Sequence, residues 1–332
     1  MTNVFNKKIF LFLLMCTGVS ISSASYANNN HPSQSTIMVF DRKVVGEHVT
    51  TVLNQSVDNR YDYTDCDRHA SYYCNGVFVT AFDGKDDYWM HPGMYKGKMS
   101  LTYFRRDIAT KLYNNAGIIF WPEVRLDNEL KEIYKANTAF KLFTLCAFPF
   151  NAGSNLRAQN GCGAFETPNP PADSEPCQEI GILTAEQWEN KYLSEQKSMC
   201  GFLLNGTESE KKYYFSNVLD IIKDSKNKWH STENWNEVII KDWSSDEPNR
   251  IPVMAFFYVA NDSLNQLVLS KNGLSSFDGL PRAQKQQINY YKSTGIFVPI
   301  IKIYGSLKDF DFYYHDNEQS EGIPQQVNAY PQ

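Results

Sequence analysis

Cysteine placement behind an amino-terminal apolar run constrains this chain more than any other feature. Lys7 and Lys8 open it, Ile9 to Val19 is apolar, and Ser25-Tyr26-Ala27 offers small residues where a signal peptidase reads. The apolar run is too short for a stable membrane anchor. Residues 1–27 are therefore expected to be a cleavable secretory signal. A lipoprotein reading through Cys16 is disfavoured by the bulky Met15 before it. The other six of the 7 cysteines are Cys66, Cys74, Cys146, Cys162, Cys177 and Cys200. An even set in an exported chain predicts three disulfides. Connectivity stays open; Cys66 with Cys74, Cys146 with Cys162 and Cys177 with Cys200 is the simplest scheme. A zinc site is not expected: no CxxC or HExxH spacing occurs, and the histidines are scattered.

The 332 residues carry a formal net charge of −5, and losing Lys7 and Lys8 with the signal makes it −7. An acidic surface repels phosphate, so no nucleic-acid partner is expected. No later stretch is apolar enough for stable membrane insertion. Localisation is expected to be extracellular or periplasmic.

After a polar start at 28–35, a globular domain is expected over 36–314, followed by a frayed tail over 315–332 that is poor in apolar residues. Residues 163–178, rich in Pro and acid, read as an exposed loop. Apolar runs of strand type are Thr36–Phe40, Val77–Phe82, Ser100–Phe104, Gly117–Trp121, Phe140–Phe148, Val238–Lys241, Val253–Val259 and Ile296–Ile303. Capping boxes at Thr184 and Thr207 open two helices; others are expected over 46–58, 105–115, 127–136, 262–270 and 281–292. Strands and helices mix without strict alternation. The predicted class is α+β: one mixed, disulfide-linked domain with mostly antiparallel strands.

No GxSxG elbow, P-loop or GxGxxG is present. The segment from Tyr88 to Asp107 is denser in polar function. Trp89 and His91 precede the strand residues Ser100, Thr102 and Tyr103, which lead into Arg105 and Arg106. Such a set can hold an anion on a guanidinium fork against a flat ring. The plainer reading is a helix start with solvated arginines and Asp107 in its first turn. Glu237, before the apolar run Val238-Ile239-Ile240, could stabilise positive charge developing on a sugar ring; its plainer reading is a surface acid. Glu208-Ser209-Glu210 looks like the paired glutamates of ADP-ribosyltransferases but serves better as a helix cap. Asn205-Gly206-Thr207 fits a glycosylation acceptor.

Several stretches taken in order resemble the halovibrin-type secreted bacterial proteins. They are Cys74-Asn75-Gly76-Val77, Ser100-Leu101-Thr102-Tyr103-Phe104-Arg105, Cys146-Ala147-Phe148-Pro149-Phe150, Asn155-Leu156-Arg157, Gly161-Cys162-Gly163, Gly181-Ile182-Leu183-Thr184-Ala185-Glu186-Gln187-Trp188, Cys200-Gly201-Phe202, Ala255-Phe256-Phe257-Tyr258 and the run from Tyr290 to Ile300. The resemblance spans residues 66–303. It implies a secreted enzyme that cleaves NAD at the nicotinamide–ribose bond, a NAD glycohydrolase with possible ADP-ribosyl transfer to a host protein acceptor. Such chemistry needs an arginine on the pyrophosphate, a ring against nicotinamide and a carboxylate near the ribose. It needs no metal and no cofactor beyond NAD as substrate. With the Trp/His/Arg segment, the resemblance nominates Glu237 and Arg105 as catalytic. It nominates Trp89, His91, Ser100, Thr102, Tyr103 and Arg157 as substrate-binding. Two departures stand out: the run Gly76–Phe82 has no arginine, and Met254 sits where a glutamate is expected. The alternatives are a non-enzymatic secreted binding protein or effector contacting a host glycan or protein, and a hydrolase of cell-wall material with two carboxylates across a groove.

Overall fold

Strand β8, Val253–Val259, is buried at every position, and β4, Ala116–Phe120, likewise. Residues buried on both faces belong in the middle of a covered sheet, and that is where both lie. A computed structural model of the chain describes residues 39–57, 76–82, 98–108, 110–120, 143–150, 176–192, 199–224, 236–241, 253–269 and 279–329. All of these belong to one unit, Ile37–Gln332. The expected signal, the polar start, the helix at 127–136 and Cys66, Cys74 and Cys162 lie outside the described residues, as does most of the loop at 163–178.

The remaining strands are β1 (Phe40–Asp41), β2 (Val77–Ala81), β3 (Lys98–Phe104), β5 (Phe143–Phe148), β6 (Phe202–Leu203), β7 (Glu237–Lys241), β9 (Ile300–Ser306), β10 (Asp309–Tyr314) and β11 (Gln326–Val327). The main sheet runs β10-β9-β8-β4-β2-β3-β7-β5-β6, and β1 pairs with β11 in a separate ribbon. Only β8 and β9 are parallel among these pairings. Parallel neighbours need a crossover. It contains helices α4 (Leu264–Leu267) and α5 (Gly279–Thr294), the second packed on β8, β4 and β9. Helices α2 (Ala185–Tyr192) and α3 (Glu208–Asp224) pack against each other, and α1 (Arg42–Val57) packs on β10. The class is α+β with a mostly antiparallel sheet, as the sequence predicts.

Two cores flank the sheet. Phe78, Leu101, Tyr103, Phe256, Phe215 and Tyr290 belong to the one beneath α2, α3 and α5. Val77, Phe104, Met254, Phe257, Ile303 and Phe310 belong to the other, where α1 contributes Val45, Val49, Leu53 and Val57. Those four recur every fourth residue, the spacing of a single buried stripe. Gly46 on α1 is required by proximity: a Cβ there would lie 2.1 Å from the Tyr314 ring.

The sheet curls around this second core. Four strands separate β3 from β10, so a flat sheet would hold them about 24 Å apart. Yet Phe104 of β3 stacks on Phe310 of β10 with ring centroids 4.3 Å apart. Arg106, just past β3, donates from Nε to the Phe310 carbonyl at 2.9 Å and ion-pairs with Asp311.

Where ladder pairing runs out, carboxamide side chains take the place of a strand. Asn54 accepts from the Phe312 N–H and donates to its carbonyl, both at 2.9 Å. Gln178 does the same for Leu203, both at 3.0 Å, Asn236 for Tyr103 at 2.8 and 2.7 Å, and Gln319 for Ile300 at 2.9 and 3.2 Å. An amide offers donor and acceptor together, as a peptide unit does. β10 and β6 are the outer strands among the described residues, where unpaired backbone would invite another chain; Asn54 and Gln178 occupy part of it.

Two expectations are corrected. Over the described residues of 105–115 a 3-10 turn, Arg106–Ile108, is followed by a bridge from Leu112 to Val268; tertiary bonds of Arg106 and Asp107 override local helix preference. Of the strand expected over Thr36–Phe40, residues 36–38 lie outside the described residues; Phe40–Asp41 form β1, and α1 begins at Arg42. The tail is not frayed through Ala329, its last described residue. β11 pairs with β1, Ile323 and Val327 are buried, and Phe297 N–H donates to the Asn328 carbonyl at 2.6 Å.

Cys177 and Cys200 form a disulfide with Cα atoms 5.1 Å apart, 23 residues apart in sequence. It closes the segment that carries α2, whose Trp188 is fully buried and donates from Nε1 to the Cys200 carbonyl at 3.2 Å. Cys146 is buried in β5. Loop-closure entropy makes the Cys177–Cys200 bridge worth about 3 kcal/mol. Replacing both cysteines with serine is expected to lower the unfolding free energy by that amount in urea titration. No helix among the described residues is long and apolar enough to cross a membrane.

Candidate functional site

β3 and β7 bring together part of the predicted set. They run antiparallel, with Ser100 opposite Ile239 and Leu101 opposite Val238. Side chains alternate across a strand, so Ser100 and Thr102 share the face of Phe104, while Leu101 and Tyr103 take the opposite face. Glu237, the first residue of β7, lies opposite Phe148 of β5 and is only 1 % exposed. The Ser100 hydroxyl donates to Glu237 Oε1. The expected surface position for this acid is therefore wrong: Glu237 is an interior carboxylate held by a hydroxyl on the neighbouring strand. Thr102 is partly buried next along the same face.

Tyr103 points the other way. Its ring packs edge-on against Phe215 of α3 at 5.0 Å and against Phe78 of β2 at 5.3 Å. Gly76 makes room for it, since a Cβ there would fall 2.2 Å from the ring. The ring is thus core material, not a platform for nicotinamide.

Arg105 is also placed differently from the sequence expectation. It is 2 % exposed, and its guanidinium forms a bidentate pair with Asp107, Nη2 to Oδ2 at 2.5 Å. Lys223 of α3 reaches the same carboxylate at 3.2 Å. Alternation and the α3 partner put Arg105 on the face opposite Ser100 and Glu237. A pyrophosphate cannot use a fork already closed on an internal carboxylate. Burial on its own would raise the Asp107 carboxyl, but hydrogen bonding and charge from Arg105, with Lys223, hold it below the usual carboxylate value.

Trp89, His91 and Arg157 lie outside the described residues. Asn236 was not anticipated. Besides pairing with Tyr103, its amide donates to Thr110 Oγ1 at 3.0 Å, which fixes the start of β7 and with it Glu237. Asn236 is distant from Tyr103 in sequence, so no local pattern signals the contact. A separate polar depression of about 500 Å³ lies at the start of α1, between Arg42, Lys43, Glu47, His315 and Asp316.

Compared with known proteins, no family model matches the chain and no curated protein matches it.

Proposed function

We propose that the chain cleaves NAD at the nicotinamide–ribose bond, with Glu237 as the carboxylate that stabilises the ribose as the bond breaks. The C–N bond to the anomeric carbon breaks, and nicotinamide leaves with the bonding pair as a neutral base. Water, or a host protein side chain, then attacks that carbon and releases a proton. The transition state carries positive charge on the sugar, and a fixed negative charge lowers its energy most in a site shielded from water. One observation carries the reading: the Ser100 hydroxyl fixes a buried Glu237 from the adjacent strand, with Thr102 on the same face. The order of the resembling segments and the expected export signal also support it. Arg105 takes no part, because its buried guanidinium is closed on Asp107. The enzyme would be secreted or periplasmic.

The test uses oxidised, signal-free protein incubated with NAD, following nicotinamide by chromatography. Glu237→Gln, nearly isosteric, is expected to lower the rate roughly 100-fold or more, the usual cost of removing one electrostatic stabiliser. Ser100→Ala is expected to lose less, because the carboxylate remains. Absence of nicotinamide release at micromolar wild-type protein over hours rules the activity out. Full turnover by Glu237→Gln rules out the residue.

A further inference from the structure

The outward face of β9 and β10 is unlike the rest of the sheet. Ile301, Ile303, Phe310 and Phe312 turn inward, so the alternate residues face solvent. Tyr304 is 45 % and Tyr313 39 % exposed, and both sit there in cross-strand register, Tyr304 opposite Asp311 and Tyr313 opposite Lys302. Their rings meet at 6.4 Å and 72°. The Lys302 ammonium lies 5.8 Å from the Tyr313 centroid. His315 continues the line, 6.5 Å from Tyr313 with its ring tilted by 31°. It also forms a wall of the polar depression at the start of α1. Rings thus succeed one another in steps about the size of a hexose unit and lead into a hollow lined by donors and acceptors.

We propose that this strip, from Tyr304 through Tyr313 and His315 into the depression beside Lys43 and Glu47, binds an uncharged oligosaccharide. A pyranose has an apolar C–H face and a rim of hydroxyls, and tyrosine is a rigid ring with a polar tip. Lys302 and Asp311 flank the rings with both signs of charge, as Lys43 and Glu47 do in the hollow. Such a rim serves hydroxyls, which donate and accept, better than an ion. Two tyrosines expose far less apolar area than the roughly 1,200–2,000 Å² a stable protein interface buries. Nucleic acid is disfavoured by Asp309 and Asp311 at the strip and by the net charge of −5. The site is remote in sequence from Ser100 and Glu237, and it stands whether or not the chain cleaves NAD.

The test is saturation-transfer NMR and calorimetry on the full chain. The probes are uncharged hexasaccharides of β-glucan, chitin, xylan and α-glucan, with a sulfated heparin hexasaccharide beside them. At least one uncharged hexasaccharide is expected to bind saturably. The double variant Tyr304→Ala/Tyr313→Ala is expected to weaken it about tenfold or more, and Tyr313→Phe to keep most of it. Both tyrosines are exposed, so unchanged thermal unfolding of the double variant shows that its fold is intact. Three outcomes overturn the proposal: no uncharged probe binding at millimolar concentration, binding unaffected by the double variant, or binding of the sulfated probe alone.

Discussion

Arg105→Ala is expected to destabilise the protein by about 3 kcal/mol while leaving nicotinamide release per folded molecule unchanged. Breaking a buried ion pair from one side costs about 3–5 kcal/mol, because the partner is left buried and unpaired. The lower end applies here: Asp107 is 17 % exposed and keeps Lys223 at 3.2 Å. The loss is conditional on pH. The folded Asp107 carboxyl lies below its ordinary value of 3.8. Its contribution is therefore fully present above that value and disappears as pH falls through the lower folded one. Urea titrations at neutral pH and at successively lower pH should show the deficit of Arg105→Ala beginning to shrink once pH drops below the ordinary carboxylate value, as Asp107 takes up its proton first in the unfolded state and last in the folded one. A stable Arg105→Ala protein that no longer releases nicotinamide would restore the arginine to catalysis and refute the structural role.

The same ion pair shows where sequence reading reaches its limit. The strands β2, β3, β4, β5, β7 and β8 are visible in the sequence because each is a short run rich in apolar residues, and in β4 and β8 burial on both faces leaves that signature. Helices α2 and α3 are visible because Thr184 and Thr207 form capping boxes, and both boxes are made: Gln187 N–H donates to Thr184 Oγ1 at 3.2 Å and Glu210 N–H to Thr207 Oγ1 at 3.3 Å. β10 escapes notice although Asp309-Phe310-Asp311-Phe312 alternates, because tyrosines and acids on its wet face lower the apolar content of the whole stretch. The contacts that decide the site are non-local. Ser100 meets Glu237 across 137 residues and Asn236 meets Tyr103 across 133. Strand alternation alone could have separated Ser100 from Arg105. It could not have shown that β7 runs beside β3, or that Asp107 closes the guanidinium.

Low apolar content misleads most at the carboxyl end, and there the expected effect is largest. Truncation after Tyr314 is expected to abolish cooperative folding. It removes Ile323 and Val327, 5 % and 2 % exposed, each worth about 1.5–3 kcal/mol of burial. It also removes Gln319, whose amide serves the N–H and carbonyl of Ile300 in β9 and whose Oε1 accepts from Gln287 at 2.7 Å. Ser320 leaves too, and with it the N–H that donates to Gln287 Oε1 at 2.8 Å. Each buried polar group left without a partner costs about 1–3 kcal/mol. These losses together approach the 5–15 kcal/mol that holds a typical domain folded. The apolar count underestimates this segment because polar side chains with buried partners do the fastening. Gln319→Ala alone, which keeps the apolar anchors, is expected to cost about 2–3 kcal/mol. Truncation after Ala329 spares every one of these contacts and is expected to keep cooperative unfolding. Urea unfolding of the three proteins beside wild type is the measurement. A chain ending at Tyr314 that unfolds cooperatively at the wild-type midpoint would show that the strap contributes nothing.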